Sequence, residues 1–557
     1  MPSPRGSRVL LALLLPLGGI VGTVASAAAQ APARLTFGGP PPPVRTEAEL
    51  RGFLDELEAQ ELVLWEASTL ETYYQWKGET RHFAGPVGRF VTDLVSRRDY
   101  AAVIDRWQGK VRDSTLARRL FLHHRDFLAA RADPRLPIAL VNLQTSIQDT
   151  VTQFRFDVRG RKLTLTQATE LIDTSADRTL REGAFRARPQ IAAHTMGPIV
   201  RAISLLDRIG RQEGFPNGAA AGLNNSTLEP RQVLRDLDTF EQATRPAYLA
   251  VLRRVGTDLH LDRVEPWDID YWLHRQEAAS GTDAWPKEKG LERLRGLMRG
   301  IGFAVDSLPI DVKIWDVPTG GITFPVRPPY EARLLSNPFN GSQFYEVLFH
   351  EYGHAVNFTL MDPSLPVVFF RGDETPLGEG LAETLGYFSA DHQWLEREAG
   401  VPAAEAARLE RVARTQQLLW LRRTIALNAY AEITQYLDRR ADLDSLYAAT
   451  YRRFVGVELP PGHWFATRDM YATGPLYFQS YLYANMIAAQ LREAMREQFG
   501  VDDLTGEPRV AKWLTEHFYR MGAAVPWPEK VRRATGRPLS SDALTRYLAG
   551  ASAAGSP

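Results

Sequence analysis

The sequence predicts a mainly α protein with one small antiparallel sheet, and three observations predict it. Apolar residues recur at spacings of three and four through most of the chain. Short runs of β-branched and aromatic residues between Pro and Gly turns cluster in one region, from Asp311 to Leu335. Hydrophobic residues make up 44% of the 557, enough to bury a large core.

The first thirty residues stand apart from the rest. Arg5 and Arg8 precede an apolar run from Val9 to Val24, and mostly small residues follow from Ala25 to Ala31. That order of charge, apolar stretch and Ala-x-Ala exit is the pattern of a secretory signal peptide over residues 1–30. The alternative is a membrane anchor, but Pro16, Gly18, Gly19 and Gly22 interrupt the run, which is short for crossing about 30 Å of hydrocarbon. The mature protein is therefore expected to be exported, periplasmic or secreted, with no membrane span.

Residues 31–45 include the run Pro40 to Pro43 and read as an extended linker. Residues 46–557 read as one helical domain. Glu47 to Tyr74 places Leu50, Phe53, Leu54, Leu57, Leu62, Leu64 and Trp65 on a helical period among acidic residues. Comparable segments are Arg231 to Gly256, Gly290 to Ile301, Glu405 to Asp438 and Leu476 to Phe499. Asp311 to Trp315, Gly321 to Val326 and Glu331 to Leu335 read as the strands of the sheet. Phe344 to Leu360 then reads as a helix with Ser342 as its N-cap.

Composition narrows the function. Lys plus Arg (66) balances Asp plus Glu (66), so no overall field draws the chain to nucleic acid or to an anionic membrane. Cysteine is absent, which excludes disulfides, a thiol nucleophile and any thiolate metal site. A metal here must be held by His, Asp and Glu, which suits a catalytic site rather than a closed structural one.

The helix beginning near Ser342 carries His350-Glu351-Tyr352-Gly353-His354. Two histidines four residues apart are separated by about 400° of helical rotation, so both imidazoles share one face and can grip one ion. Glu351, beside the first of them, can reach a water on that ion. With 11 His in the chain, chance would produce the motif on the order of once in a hundred such sequences. Val347, Leu348, Phe349, Ala355 and Val356 make the helix apolar, and a buried Glu beside two His needs a partner.

A third ligand is available in Gly378-Glu379-Gly380-Leu381-Ala382-Glu383. Glu379 and Glu383 are four apart on a second helix, which Leu381, Leu385, Tyr387 and Phe388 make apolar enough to pack against the first. Glu374 is a rival ligand, and either glutamate at 379 or 383 could be an ordinary surface residue. We favour Glu379.

A His-Glu-Tyr-Gly-His helix followed about 25 residues later by Gly-Glu-Gly-Leu-Ala-Glu resembles the gluzincins of the angiotensin-converting-enzyme (peptidyl-dipeptidase) family and the related thimet-oligopeptidase family. The resemblance implies a large two-lobed helical peptidase fold with the sheet next to the zinc helix. It implies one Zn²⁺ held by His350, His354 and Glu379, Glu351 as general base, and Glu383 as the carboxylate that accepts an N–H from a ligand histidine. Glu383 stands where the converting-enzyme pattern has Asp, and Asn357 where the oligopeptidase pattern has a further His.

The chemistry implied is hydrolysis of peptide bonds in short or unfolded peptides. Zinc can bring the pKa of a bound water to about 7, and Glu351 would take its proton and pass it to the leaving amine. The oxyanion then needs a donor. Tyr471-Ala-Thr-Gly-Pro-Leu-Tyr477-Phe-Gln-Ser-Tyr481-Leu-Tyr483 is dense in tyrosine where both families keep catalytic tyrosines. Tyr481 is the first choice, with Tyr471 and Tyr477 as substrate-binding candidates and His463 as another donor. With 19 Tyr in the chain, tyrosines at helical spacing are also ordinary core residues.

Gly320, Gly321, Ile322 and Thr323 offer a sheet edge that could take substrate backbone as an added strand, although Gly-Gly also reads as a plain turn. Arg468 could meet a substrate C-terminal carboxylate. Two other functions fit less well: a non-catalytic peptide-binding module, which has no use for Glu351, and a zinc hydrolase of non-peptide amides. Nothing in the sequence sets an oligomeric state.

Overall fold

The computed structural model describes residues 39–79, 87–279, 284–317, 320–339, 341–439 and 442–552. The signal-peptide assignment to residues 1–30 lies outside the described residues. Residues 39–45 have no regular structure, and the first helix is Glu47–Trp76. Its start is a capping box: the Thr46 hydroxyl accepts from Glu49 N, and the Glu49 carboxylate accepts from Thr46 N.

The chain is mainly α, and the periodic segments fold as helices close to their expected bounds: Pro230–Asp258, Gly290–Gly300 and Phe478–Phe499. The expected helix over 405–438 is helical throughout but changes pitch. Ala403–Trp420 passes into a π-helical stretch, Leu421–Ala426, and resumes as Leu427–Leu437. In that stretch the buried Arg422 donates to Glu241 Oε1, Glu241 O, Thr244 Oγ1 and Phe454 O. Such local widening re-aims side chains without ending a helix.

Among the described residues, two sheets interrupt the helices. Strands β1 (Phe156–Val158) and β2 (Arg161–Leu163) form an antiparallel hairpin, too short to show a period of two in the sequence. Its turn places Arg159 and Gly160 at positive φ, as a two-residue hairpin turn requires. The expected sheet consists of β3 (Ile310–Ile314), β4 (Gly321–Arg327) and β5 (Glu331–Ser336).

The order is β3-β5-β4, with β4 antiparallel to β5. The expectation of a purely antiparallel sheet needs one correction, because β3 pairs parallel with β5. The chain leaves β3 at one edge, crosses to the other edge to form β4, and returns through a tight turn as the central strand. β4 is therefore an edge strand, and Pro325, which has no N–H to offer, fits there.

The first helix packs across this sheet. Tyr73 joins Val317, Ile322, Phe324, Val326 and Leu335 in one apolar cluster, and Trp65 Nε1 donates to Pro325 O at 2.7 Å. The N-terminal helices also enclose a small core of their own around Leu50, Phe53, Leu57, Ile104 and Phe127, separate from the large core of residues 140–551.

The helix Ser342–Thr359 lies between the sheet and a second helix, Thr375–Gly386. The latter packs in turn on Phe478–Phe499. Ser342 is the first helical residue rather than the cap, and Gly341, at φ 118°, holds the cap position. Every residue from Val347 to Thr359 is buried.

Candidate metal centre

His350 and His354 lie one turn apart on the buried helix, and Glu379 faces them from the neighbouring one. The two Nε2 atoms are 3.1 Å apart, and Glu379 Oε2 lies 3.4 Å from His350 Nε2 and 3.8 Å from His354 Nε2. Zinc bonds of 2.0–2.2 Å in tetrahedral geometry require ligand atoms about 3.3 Å from one another. The triangle fits.

The donor set fits as well. Glu379 is wholly buried, yet its Oε2 has no hydrogen-bond partner among the described residues, a costly state for a carboxylate oxygen unless a cation takes it. Two imidazoles and one carboxylate, with no thiolate in the chain, form the kind of three-ligand set that leaves a fourth position for substrate or water.

Electrostatics of the site agree. Burial opposes a charge on His350, but the carboxylates of Glu379, Glu383 and Glu351 overcome it and raise that imidazole to about 10. Burial, helped by the charge on His350, drives His354 down to about 4 despite Glu379. The carboxylates thus favour a positive charge beside His350.

Glu383, one turn beyond Glu379, has Oε1 3.8 Å from His350 Nδ1, on the side of the ring opposite the metal position. It stands where a carboxylate can orient a ligand histidine. Glu374, the rival ligand, is elsewhere: Arg118 donates to its Oε1 at 3.0 Å, and Arg125 lies 3.4 Å from the same oxygen.

Glu351 points to the sheet side of the helix. Its Oε2 accepts from Thr323 Oγ1 at 2.9 Å, and the same hydroxyl lies 2.8 Å from Glu351 O. Oε1 has no partner among the described residues. Burial pushes this carboxyl up to about 7, against the pull of His350 and Thr323 in the other direction. An acid in that range can both take and return a proton near neutral pH.

Gly321 brings the strand that close. A Cβ there would lie 2.8 Å from Glu351 Cγ and 2.8 Å from Val347 Cγ1, so only glycine lets β4 come this close to Glu351. The sequence marked Thr323 as a sheet-edge residue and missed its bond to Glu351. The signal was its spacing of two from Gly321, which puts both on one face of the strand.

Two of the three tyrosines reach the same place. Tyr477 Oη lies 3.3 Å from Glu379 Oε1, and its ring meets that of Tyr481 edge-on at 5.3 Å. Tyr481 is buried, and burial together with the negative field of Glu379, Glu383 and Glu351 holds its phenol well above its ordinary range. A phenol that keeps its proton remains a donor.

Tyr471 sits differently. It is fully buried, its hydroxyl lies 3.0 Å from Asn428 Oδ1, and its ring packs on Phe465. His463 is exposed and bonds Asp444. Arg468 donates to Thr467 Oγ1 and lies over the Tyr447 ring.

A second group of metal-type ligands, Glu61, His123 and Asp126, is of another kind. Arg371 reaches both carboxylates, and His123 lies between Glu58 Oε1 (3.1 Å) and Glu61 Oε1 (3.4 Å). Guanidinium and imidazolium already neutralise these acids.

Residues 435–551 match the family model described as Carboxypeptidase Taq (M32) metallopeptidase. Among solved structures, the M32 carboxypeptidase of Deinococcus radiodurans R1 matches with a TM-score of 0.62 at 15% identity, over 90% of this chain and 98% of that one. The fold is that of the M32 carboxypeptidases. The carboxypeptidase of Pyrococcus furiosus shares it, with a TM-score of 0.64 at 12% identity over 89% of this chain and 98% of that one. No curated protein matches the chain.

The M32 model covers the tyrosine-rich helix but not His350, His354 or Glu379, so the ligand set rests on its geometry. The metallopeptidase part of the sequence resemblance stands. The similar solved structures carry the carboxypeptidase fold, and the narrower assignment to converting enzymes or thimet oligopeptidases has no match among them.

Proposed function

We propose that the protein is a zinc carboxypeptidase that shortens unfolded or short peptides. The observation that carries this reading is the convergence of His350 Nε2, His354 Nε2 and Glu379 Oε2 on one point, with the open Oε1 of Glu351 on the same helix. Zinc bound there would supply a Lewis acid for the scissile carbonyl and an acidified water near neutral pH.

The chain's own residues do the rest. Glu351, oriented by Thr323, accepts the proton of the attacking water on Oε1 and delivers it to the departing amine. Tyr481, aided by Tyr477, donates to the oxygen that gains charge. The edge of β4 around Gly321 takes the substrate backbone as an added strand. A binding module would leave the open carboxylate of Glu351 without a use.

Release of single C-terminal residues is supported by the names of the proteins that share the fold, in preference to the peptidyl-dipeptidase or oligopeptidase chemistry that the sequence resemblance implied. The pattern of residues 1–30 supports action outside the cytoplasm.

The test is a zinc count and a peptide-hydrolysis assay on wild type, Glu351→Gln and chelated protein, with free and amidated C-termini. We expect one zinc per chain and stepwise loss of single residues from free C-termini. Glu351→Gln should keep its zinc and lose about 10²- to 10⁴-fold in kcat. Undiminished hydrolysis by Glu351→Gln would refute the mechanism, and equal cleavage of amidated peptides would refute the carboxypeptidase assignment.

A further inference from the structure

Leu476, in the turn that leads into the tyrosine-rich helix, is in the left-handed region at φ 55°. A non-glycine residue stays there only when its surroundings over-determine it. Its N–H donates to Glu432 Oε1 at 2.7 Å, and its carbonyl accepts from Gln479 Nε2. Its side chain fills the space beside Gly222, where a Cβ would come within 2.4 Å of Leu476 Cδ1.

Glu432 comes from the helix Leu427–Leu437 and is wholly buried. Its other oxygen has no partner among the described residues. An apolar residue would fit a core at no desolvation penalty, so the bond to Leu476 N calls for an explanation. The next residue supplies one, since Tyr477 Oη lies 3.3 Å from Glu379 Oε1, the oxygen of that carboxylate not turned to the histidines.

We propose that Glu432 is a positioning residue for the metal centre: by holding Leu476 left-handed it sets the Tyr477 hydroxyl on Glu379, and so fixes the carboxylate that faces His350 and His354. This rests on the metallopeptidase reading. Burial pushes the Glu432 carboxyl up to about 8, so the acceptor matters rather than the charge, and Gln should serve in its place.

The experiment measures zinc affinity by chelator competition, and kcat alongside it, on full-length wild type, Glu432→Gln, Glu432→Leu, Tyr477→Phe and the Glu432→Leu/Tyr477→Phe double variant. Tyr477→Phe and Glu432→Leu should each weaken zinc binding by about 10-fold or more, the scale of losing a partner of a metal ligand. Glu432→Gln should stay within about twofold of wild type, since the acceptor persists. The double variant should bind no more weakly than the worse single one, because both act through one hydroxyl.

If circular dichroism shows Glu432→Leu unfolded, Glu432→Asp takes its place, its carboxyl stopping about 1.5 Å short of Leu476 N. Zinc affinity unchanged in the folded Leu or Asp variant, or losses that multiply in the double variant, would overturn the inference alone. A wild-type protein that binds no zinc would overturn the metallopeptidase reading and this inference with it.

Discussion

Gly353 and Ala382 meet backbone to backbone: a Cβ on Gly353 would lie 2.8 Å from Ala382 Cα and 3.3 Å from Ala382 O. Ala382 sits between Glu379 and Glu383, so this contact sets how far the carboxylates stand from the histidines on the facing helix. Gly353→Ala forces the helices apart or twists one against the other. We expect a loss of about 1–3 kcal/mol in unfolding free energy, as for overpacked cores, and weaker zinc binding, since ligand geometry must hold within a few tenths of an ångström. Thermal melts with and without zinc, plus chelator competition, check this. Wild-type zinc affinity in Gly353→Ala would show that the contact does not set the site.

The two glutamates on that helix should separate cleanly. Glu379 Oε2 completes the triangle with the histidines, whereas Glu383 approaches the far nitrogen of His350, at 3.8 Å. Glu383→Ala should cost about 10- to 100-fold in zinc affinity, and Glu379→Ala far more. The reverse order in a competition titration would make Glu383 the third ligand.

Much of this centre could be read from the chain because helical spacing is a local property. His350 with His354, and Glu379 with Glu383, declare their shared faces by a separation of four. The crossing of the two helices is not local, and a single Gly in His-Glu-Tyr-Gly-His does not announce Ala382 as its neighbour. The parallel pairing of β3 with β5 was hidden for the same reason, since strand propensity says nothing about the path between strands. Tyr477 and Tyr471 looked alike in sequence. The left-handed turn at Leu476 comes between them, leaving one hydroxyl on Glu379 and the other near Asn428.

Thr323 offers a test of the proton-transfer role proposed for Glu351 without altering His350, His354 or Glu379. Its hydroxyl orients Glu351 Oε2, and Thr323→Val removes that donor while keeping the shape of the β-branched side chain. A lost hydrogen bond to a buried charged group costs about 1–3 kcal/mol, so kcat should fall by roughly 5- to 150-fold with zinc content unchanged. Thr323→Ser should recover most of the loss. A fall in KM-controlled binding alone, with kcat intact, would mean that Thr323 serves the strand and not the base.

The network around His123 predicts how stability responds to pH. This imidazole is fully buried on the helix Ser114–Phe127, beside Glu58 and Glu61 of the first helix, with Arg119, Arg371, Asp55 and Asp126 completing the group. Burial works against its charge, but Glu61 and Glu58 overcome that and raise it to about 9. A histidine raised on folding binds its proton more tightly in the native state, so its stabilisation is complete below the unfolded value of about 6.5 and is lost as pH rises through about 9. The span corresponds to a contribution on the order of 3 kcal/mol. Urea unfolding should therefore show stability declining between about pH 6.5 and 9. His123→Gln, which keeps a donor but cannot titrate, should be less stable at pH 6 and show a flatter profile over that window. A wild-type slope retained in His123→Gln would assign the alkaline loss to another group.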